Sequence, residues 1–315
     1  MLTEFDKKLL NILQTDLPLA SRPFQVLAER LQCQEQTVLE RLLYLKTHGY
    51  LRRVGAFFDS RQLGYVSTLV AVKVQPVQMD AVARAINAYA GVTHNYEREG
   101  EYNLWFALIS PSLAEETRIL EAIRALAGVE EVLSLPATEK YKVSVQFTLY
   151  GGGSPQMDLI DRKIVIAMQD EFPLVPEPYR ELAGRIGISE EELLTRLQKQ
   201  KQRGCIRKMG AVLRHREVGY TANALCAWIV EEERLAQVGS IMAAHPAVTH
   251  CYARKNAPQW PYNFYVMLHS QSREACCALA AELAEQAEER NYTMLFSTRE
   301  WKKTSMRYFA EHESV

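Results

Sequence analysis

Apolar residues recur at helical spacing from the start of the chain, with Leu9, Leu10, Ile12 and Leu13 on one face of residues 5–14. The same spacing predicts short helices over 24–31 and 37–46, the second turning Leu39, Leu42, Leu43 and Leu45 inward. Gly49 is placed to stop that helix, because glycine readily takes the backbone conformation found just past a helix end. Residues 51–58 then read as a β-ribbon. Three short helices followed by a ribbon predict a winged helix-turn-helix. Farther on, residues 67–74 are rich in β-branched side chains and Pro76 ends that strand. An amphipathic helix is expected over 79–90, a strand pair over 92–99 and 102–109, a helix over 113–127 and a closing strand over 129–141. The order βαββαβ is that of a ferredoxin-like domain.

The whole pattern occurs twice. Asp6-Lys7-Lys8 answers to Asp161-Arg162-Lys163, Leu17-Pro18-Leu19 to Phe172-Pro173-Leu174, and Arg52-Arg53-Val54-Gly55-Ala56 to Arg207-Lys208-Met209-Gly210-Ala211. Val92-Thr93-His94 answers to Val248-Thr249-His250, and Tyr102-Asn103 to Tyr262-Asn263. The growing offset places a short insertion around Gln259-Trp260-Pro261. A period near half the chain means duplication rather than a solenoid. Gly151-Gly152-Gly153-Ser154-Pro155 between the copies has the composition of a flexible linker. The second ferredoxin-like copy is expected to start its elements near 221, 235, 248, 262, 273 and 292. The expected fold class is therefore α+β, a tandem duplication of a winged helix-turn-helix followed by a ferredoxin-like domain. The boundaries read as 1–64 and 156–219 for the helical domains, and 65–150 and 220–315 for the ferredoxin-like ones.

Composition narrows the class. The hydrophobic and charged fractions, 48% and 24%, are those of an ordinary globular protein. No apolar run is long enough to span a membrane, and the mixed-charge start MLTEFDKKLL is unlike a signal peptide, so the chain reads as cytoplasmic. The six cysteines form no C-x-x-C pair and read as reduced structural thiols, with no metal site expected. A net charge of −1 argues against a dedicated nucleic-acid binder, although basic residues cluster locally.

Candidate chemistry gathers on one strand of each copy. Alternation puts His94, Tyr96 and Arg98 on a common face, and likewise His250, Tyr252 and Arg254. An imidazole, a phenol and a guanidinium in line offer a proton carrier, a hydrogen-bonding group and a carboxylate anchor. The same face on a strand is equally that of ordinary solvated or hydrogen-bonded polar residues; recurrence in both halves is what singles it out. His269 ends a strand at the position where the first copy has Ile109, so the two copies are not equivalent there. Arg53, Lys208, Arg214 and Arg216 add positive charge in the wing regions, and Lys140, Lys142, Lys302 and Lys303 on the closing strands. Tyr102, Trp260 and Tyr262 are among the aromatics that pack a core or wall a flat apolar pocket. No phosphate-binding loop, dinucleotide fingerprint, nucleophile elbow or zinc-protease motif is present.

The architecture resembles the leucine-responsive, AsnC-like regulators. The strand motifs resemble something narrower. Gly91-Val92-Thr93-His94-Asn95-Tyr96-Glu97-Arg98 followed by Tyr102-Asn103-Leu104-Trp105-Phe106 is similar to the first subunit type of siroheme decarboxylase. His250-Cys251-Tyr252, then Trp260-Pro261-Tyr262-Asn263-Phe264 and Met267-Leu268-His269, is similar to the second type. Ala253-Arg254-Lys255 departs from the arginine-rich stretch expected there. The resemblance covers nearly the whole chain and implies a fused two-subunit enzyme whose halves pack as a pseudo-dimer, open to further homo-oligomerisation. It implies removal of the acetate carboxylates at ring positions 12 and 18 of siroheme, giving didecarboxysiroheme and CO2 for haem d1 or an alternative haem route. It implies no cofactor beyond the iron tetrapyrrole substrate. His94, His250 and His269 would then transfer protons or contact the macrocycle. Arg53, Tyr96, Arg98, Tyr102, Lys208, Arg214, Tyr252, Arg254, Trp260 and Tyr262 would hold it.

The rival reading is a DNA-binding regulator on the same fold. Its recognition helices would present Gln34-Glu35-Gln36-Thr37 and Ser189-Glu190-Glu191-Glu192 to a phosphate-lined groove. Three consecutive glutamates there are unfavourable, so DNA is not the expected partner.

Overall fold

A computed structural model describes residues 2–143, 157–213 and 222–309. The linker at 151–155, together with Arg214 and Arg216, lies outside the described residues. The first copy runs α1 Glu4–Thr15, α2 Pro23–Arg30, α3 Glu35–Thr47, β1 Leu51–Phe58, β2 Val66–Val74, α4 Met79–Asn87, β3 Val92–Arg98, β4 Leu104–Ser110, α5 Leu113–Arg124 and β5 Val129–Val143. The second runs α6 Leu159–Gln169, α7 Pro178–Ile186, α8 Glu190–Gln202, β6 Ile206–Leu213, β7 Ala222–Trp228, α9 Leu235–Ala244, β8 Val248–Arg254, β9 Phe264–Ser270, α10 Arg273–Gln286 and β10 Tyr292–Lys303. Contacts divide the chain into two units: residues 1–63, 146–217 and 307–315, and residues 64–145 and 218–306.

The first unit holds the helical domains. Thr3 and Asp6 exchange side-chain-to-backbone hydrogen bonds at the start of α1, a capping box that satisfies two otherwise orphaned N–H groups. Asp6 is fully buried and takes a two-pronged bond from Arg41 of α3, at 2.9 and 2.7 Å. In the second copy Arg196 bonds Asp158, Asp161 and Glu192 at 2.8, 3.1 and 2.9 Å. The expected ribbon differs from the structure. β1 pairs antiparallel with β6 of the other copy, Gly55 facing Gly210, so the two copies make one ribbon together. Each glycine runs against the end of the other copy's first helix. A β-carbon on Gly210 would stand 2.4 Å from the Leu13 carbonyl oxygen. Phe24 meets Phe172 edge-on at 6.4 Å, and the buried Tyr179 hydroxyl donates to the Pro18 carbonyl at 3.0 Å, so the copies share a core. Leu43, expected inward, is exposed, because α3 buries the stripe Val38, Leu39, Leu42 and Leu45 and turns the adjacent position outward.

The second unit is a closed barrel in the order β10-β3-β4-β2-β5-β8-β9-β7. Each ferredoxin-like half contributes a four-stranded sheet. β5 extends past its own sheet to pair with β8, and β10 extends to pair with β3. These exchanged strands close the barrel and remove the sheet edges. Helices α4 and α5 pack outside the first sheet over Val70, Val72, Leu104 and Phe106. α9 and α10 do the same over Cys226, Trp228, Phe264 and Val266. A third cluster, with Ala71, Trp105, Leu133, Leu225, Tyr265 and Leu295, draws on both sheets and fills the inner face. Among the described residues no helix is long and apolar enough to cross a membrane, and no group of three or more acidic, histidine or cysteine side chains is arranged to hold a metal ion. All six cysteines are free.

Candidate functional site

Strand register decides which side chains reach the inner face. Ala107 and Trp105 of β4 lie opposite His94 and Tyr96 of β3, and Trp105 belongs to the inner cluster. His94, Tyr96 and Arg98 therefore share that face. Strict alternation would put Val92 there too, yet Val92 packs under the helices. A register shift between Val92 and His94 resolves this: Thr93 is the extra residue of a β-bulge, a device that re-aims a side chain. The His94 Nδ1 lies 3.1 Å from the Thr93 hydroxyl. The second copy repeats the arrangement, with the shift at Thr249 and the His250 Nδ1 3.2 Å from the Thr249 hydroxyl.

Arg98 is the centre of the first cluster. It is 3% exposed, and its guanidinium donates to the Leu295 carbonyl at 2.9 Å and to the Asn223 side-chain oxygen at 3.4 Å. The Tyr96 ring lies beneath it at 5.1 Å. Its Nε has no partner, and burial pushes the group down to about 10. A buried cation held, among the described residues, by neutral oxygens and a ring face keeps unspent capacity for an anion. The Tyr96 hydroxyl donates to Glu300 of β10 at 3.2 Å. Burial first, and the Glu300 carboxylate second, push the phenol up, so Tyr96 keeps its proton. His269 of β9 lies opposite Asn223 of β7, the residue that Arg98 touches.

The second cluster is its pseudo-symmetric copy. Arg254 donates to the Leu135 carbonyl at 2.9 Å and sits over the Tyr252 ring at 4.8 Å. The His250 and Tyr252 rings lie nearly parallel, 6.2 Å apart. The differences are in the neighbours. Tyr252 faces Lys140 across β5 where Tyr96 faces Glu300 across β10. Ser67 and Ile109 face each other where the other cluster has Asn223 and His269.

The remaining candidates divide between the inner cluster and the first unit. Tyr102 and Trp260 are buried in the inner core, with Tyr262 packed against Trp260 at 4.7 Å. Arg53 belongs to the first unit, where it donates to the Met168 and Ala56 carbonyls at 2.9 and 3.1 Å and burial pushes its pKa down. Lys208, in the same unit, reaches the Ala211 carbonyl at 3.3 Å, and burial lowers it likewise. Lys142 and Lys302 are tied to carbonyls at the ends of the helical segments, Lys142 to His245 at 2.7 Å and Lys302 to Asn87 and Tyr89 at 2.8 and 3.1 Å. Glu300 and Asn223 carried no signal of their own in the sequence, and Lys140 stood out only as one of the basic residues on the closing strands. Laying the closing strand of one copy over the other, with Leu295 on Leu135, would have set Glu300 against Lys140.

Comparison with known proteins agrees with this architecture. A family model described as an AsnC-like ligand binding domain matches residues 62–142 and 217–302. One described as a siroheme decarboxylase NirDL-like HTH domain matches residues 6–52 and 161–207. A siroheme decarboxylase of Hydrogenobacter thermophilus is 36% identical over 320 residues, covering 98% of this chain and 96% of that one. A siroheme decarboxylase beta subunit of Methanosarcina barkeri is 44% identical over 151 residues, covering 48% of this chain and 99% of that subunit. The crystal structure of the siroheme decarboxylase NirDL in complex with an iron-uroporphyrin III analogue has a TM-score of 0.82 at 35% identity, covering 98% of this chain and 95% of that one. With two duplicated domain types, a full-length relative well above 30% identity and a shared fold, the chain belongs to the siroheme decarboxylase family, as a fused form carrying both halves in one polypeptide.

Proposed function

We propose that this chain decarboxylates siroheme, taking the two acetate carboxylates at ring positions 12 and 18 and releasing didecarboxysiroheme and CO2. The observation that carries the reading is Arg98, a buried guanidinium with an unpartnered Nε and, among the described residues, no carboxylate paired with it. Siroheme is a flat polycarboxylate. It calls for guanidinium anchors, an aromatic wall and a proton source, and the inner face carries all three types. The family membership and the relative with an iron-uroporphyrin analogue support the same ligand class.

Arg98 and Arg254 anchor spectator carboxylates, with Tyr96 and Tyr252 beneath them. Breaking the C–CO2 bond leaves an electron pair that the conjugated ring delocalises, and a proton must then be added at the carbon. His94 and His269, with His250 in the second copy, are the imidazoles suited to carry it near neutral pH. The reaction needs no cofactor beyond the substrate's own iron macrocycle, and the product suits haem d1 or an alternative haem route. DNA has no part in this reading. Ser189 and the acidic first turn Glu190, Glu191 and Glu192 stabilise the start of α8 but repel phosphate.

The test is incubation of the purified chain with siroheme under anaerobic, reducing conditions, following product mass. Loss of two CO2 supports the assignment. A shifted Soret band without mass loss overturns it in favour of a carrier.

A further inference from the structure

Asn223 stands on β7, in the second half of the chain, with its side chain against the Arg98 guanidinium of the first. We infer that Asn223 is a positioning residue for substrate binding: its neutral amide aims Arg98 without cancelling its charge, and so keeps that guanidinium open to a carboxylate of the macrocycle. The inference rests on the reading of the chain as a siroheme decarboxylase.

The chemistry of the pair fixes which way the amide points. A guanidinium only donates, so the atom 3.4 Å from Arg98 Nη1 is the amide oxygen, and the amide N–H2 faces elsewhere. The same Nη1 donates to the Leu295 carbonyl at 2.9 Å. Two neutral acceptors, one from β7 and one from β10, thus converge on one nitrogen and set the rotation of the guanidinium. Among the described residues, Nε on the opposite edge has no partner. The edge formed by Nε and Nη2 is one that can grip a carboxylate with two parallel bonds.

The residue type at 223 decides whether that edge stays available. Aspartate has nearly the same shape, but it would meet a guanidinium only 3% exposed as a buried ion pair. The charge that draws an anion would then be satisfied inside the protein. The first half carries Ser67 at the matching place, opposite Ile109 as Asn223 is opposite His269. A serine is shorter, and 3.4 Å is already long for a hydrogen bond, so serine at 223 would not reach Arg98. Asparagine has both the length and the neutrality that an aimed, still-charged anchor requires.

The experiment measures the thermal midpoint, the siroheme affinity by Soret titration, and kcat and KM, all in the full chain. N223D should weaken siroheme binding at least about tenfold and raise KM to match, while kcat stays within about threefold. Its midpoint should hold or rise, because the new carboxylate pairs with Arg98. N223A and N223S should each weaken binding about threefold, by letting the guanidinium turn. A purely structural role would instead lower the midpoint and leave the affinity of the folded molecules unchanged. R98M supplies the control for action through Arg98. In that background N223A should cost no further affinity, and any gain in midpoint from N223D should vanish even though His269 still lies across the strand. An unchanged affinity in N223D, or losses from N223A and R98M that simply add, would overturn the inference. A wild-type chain that fails to bind siroheme would sink the functional reading instead, and the midpoints of N223D with and without Arg98 would still report on the pair.

Discussion

Arg98 of the first copy donates to the main-chain carbonyl of Leu295 in the second at 2.9 Å. Arg254 returns the same bond to Leu135 of the first, also at 2.9 Å. Each anchor is thus aimed by the closing strand of the opposite half, and neither half builds a complete cluster alone. R98K keeps a positive charge but loses the planar guanidinium, whose Nη1 bonds both Leu295 and Asn223 and whose other N–H groups are left for an anion. Its affinity for siroheme in a Soret titration should fall about tenfold, roughly 1.4 kcal/mol. Its thermal midpoint should stay close to wild type. An unchanged affinity would remove Arg98 from the binding face.

Alternation along residues 92–98 was enough to bring His94, Tyr96 and Arg98 onto one face, because side-chain direction on a strand is local. The bulge at Thr93 was not legible, since Val92 and Thr93 are both good strand residues and only the paired register shows which is extra. The β1–β6 ribbon was missed for a different reason. A ribbon inside one domain and a ribbon between two copies leave the same trace in sequence, and only tertiary pairing separates them. Trp260 and Tyr102 look alike as pocket wall or as core, since large aromatics serve both. Burial distinguishes them, and periodicity does not encode it. Glu300 on a closing strand looks like any solvated charge until its partner across the strand is known.

The Asp6–Arg41 pair should show how differently the two copies secure the same helix. Burial alone would raise the Asp6 carboxyl, but the bonds from Arg41 and Thr3 outweigh it and hold the group below its ordinary 3.8. D6N leaves Arg41 without its carboxylate inside the domain and should cost about 3 kcal/mol in urea unfolding. A depressed folded value means the contribution is complete above pH 3.8 and is lost as pH falls through the lower folded value. The gap between wild type and D6N should therefore close only in acid. D161N should cost less than D6N, because Arg196 keeps Asp158 and Glu192.

Gly210 should tolerate no side chain. Its β-carbon would meet the Leu13 carbonyl at 2.4 Å, a backbone atom that cannot swing away. Its counterpart Gly55 has more room, with the Met168 carbonyl at 3.1 Å. G210A should lower the thermal midpoint well beyond G55A, by roughly 2 kcal/mol or more against about 1, typical of overpacking. Equal effects would mean that the ribbon can slide away from the first helix.

Trp260 decides whether the insertion in the second copy serves the ligand or the core. Tyr102, Trp105 and Tyr262 surround its ring at centroid distances of 5.4, 5.4 and 4.7 Å, and its indole N–H donates to the Tyr265 hydroxyl at 2.8 Å. A ring enclosed on several sides, and 8% exposed, offers little face to a macrocycle. W260A should destabilise the chain by about 3–5 kcal/mol, as large-to-small changes in packed cores do. The affinity of the molecules that remain folded should change by less than about threefold. Siroheme titration below the unfolding transition, beside urea curves of both proteins, separates the two quantities. A large affinity loss at unchanged stability would return Trp260 to the substrate wall and make the insertion a ligand-contacting element. The expected pattern makes it a packing element, added where the second half must fill the inner face against Tyr102 and Trp105 of the first.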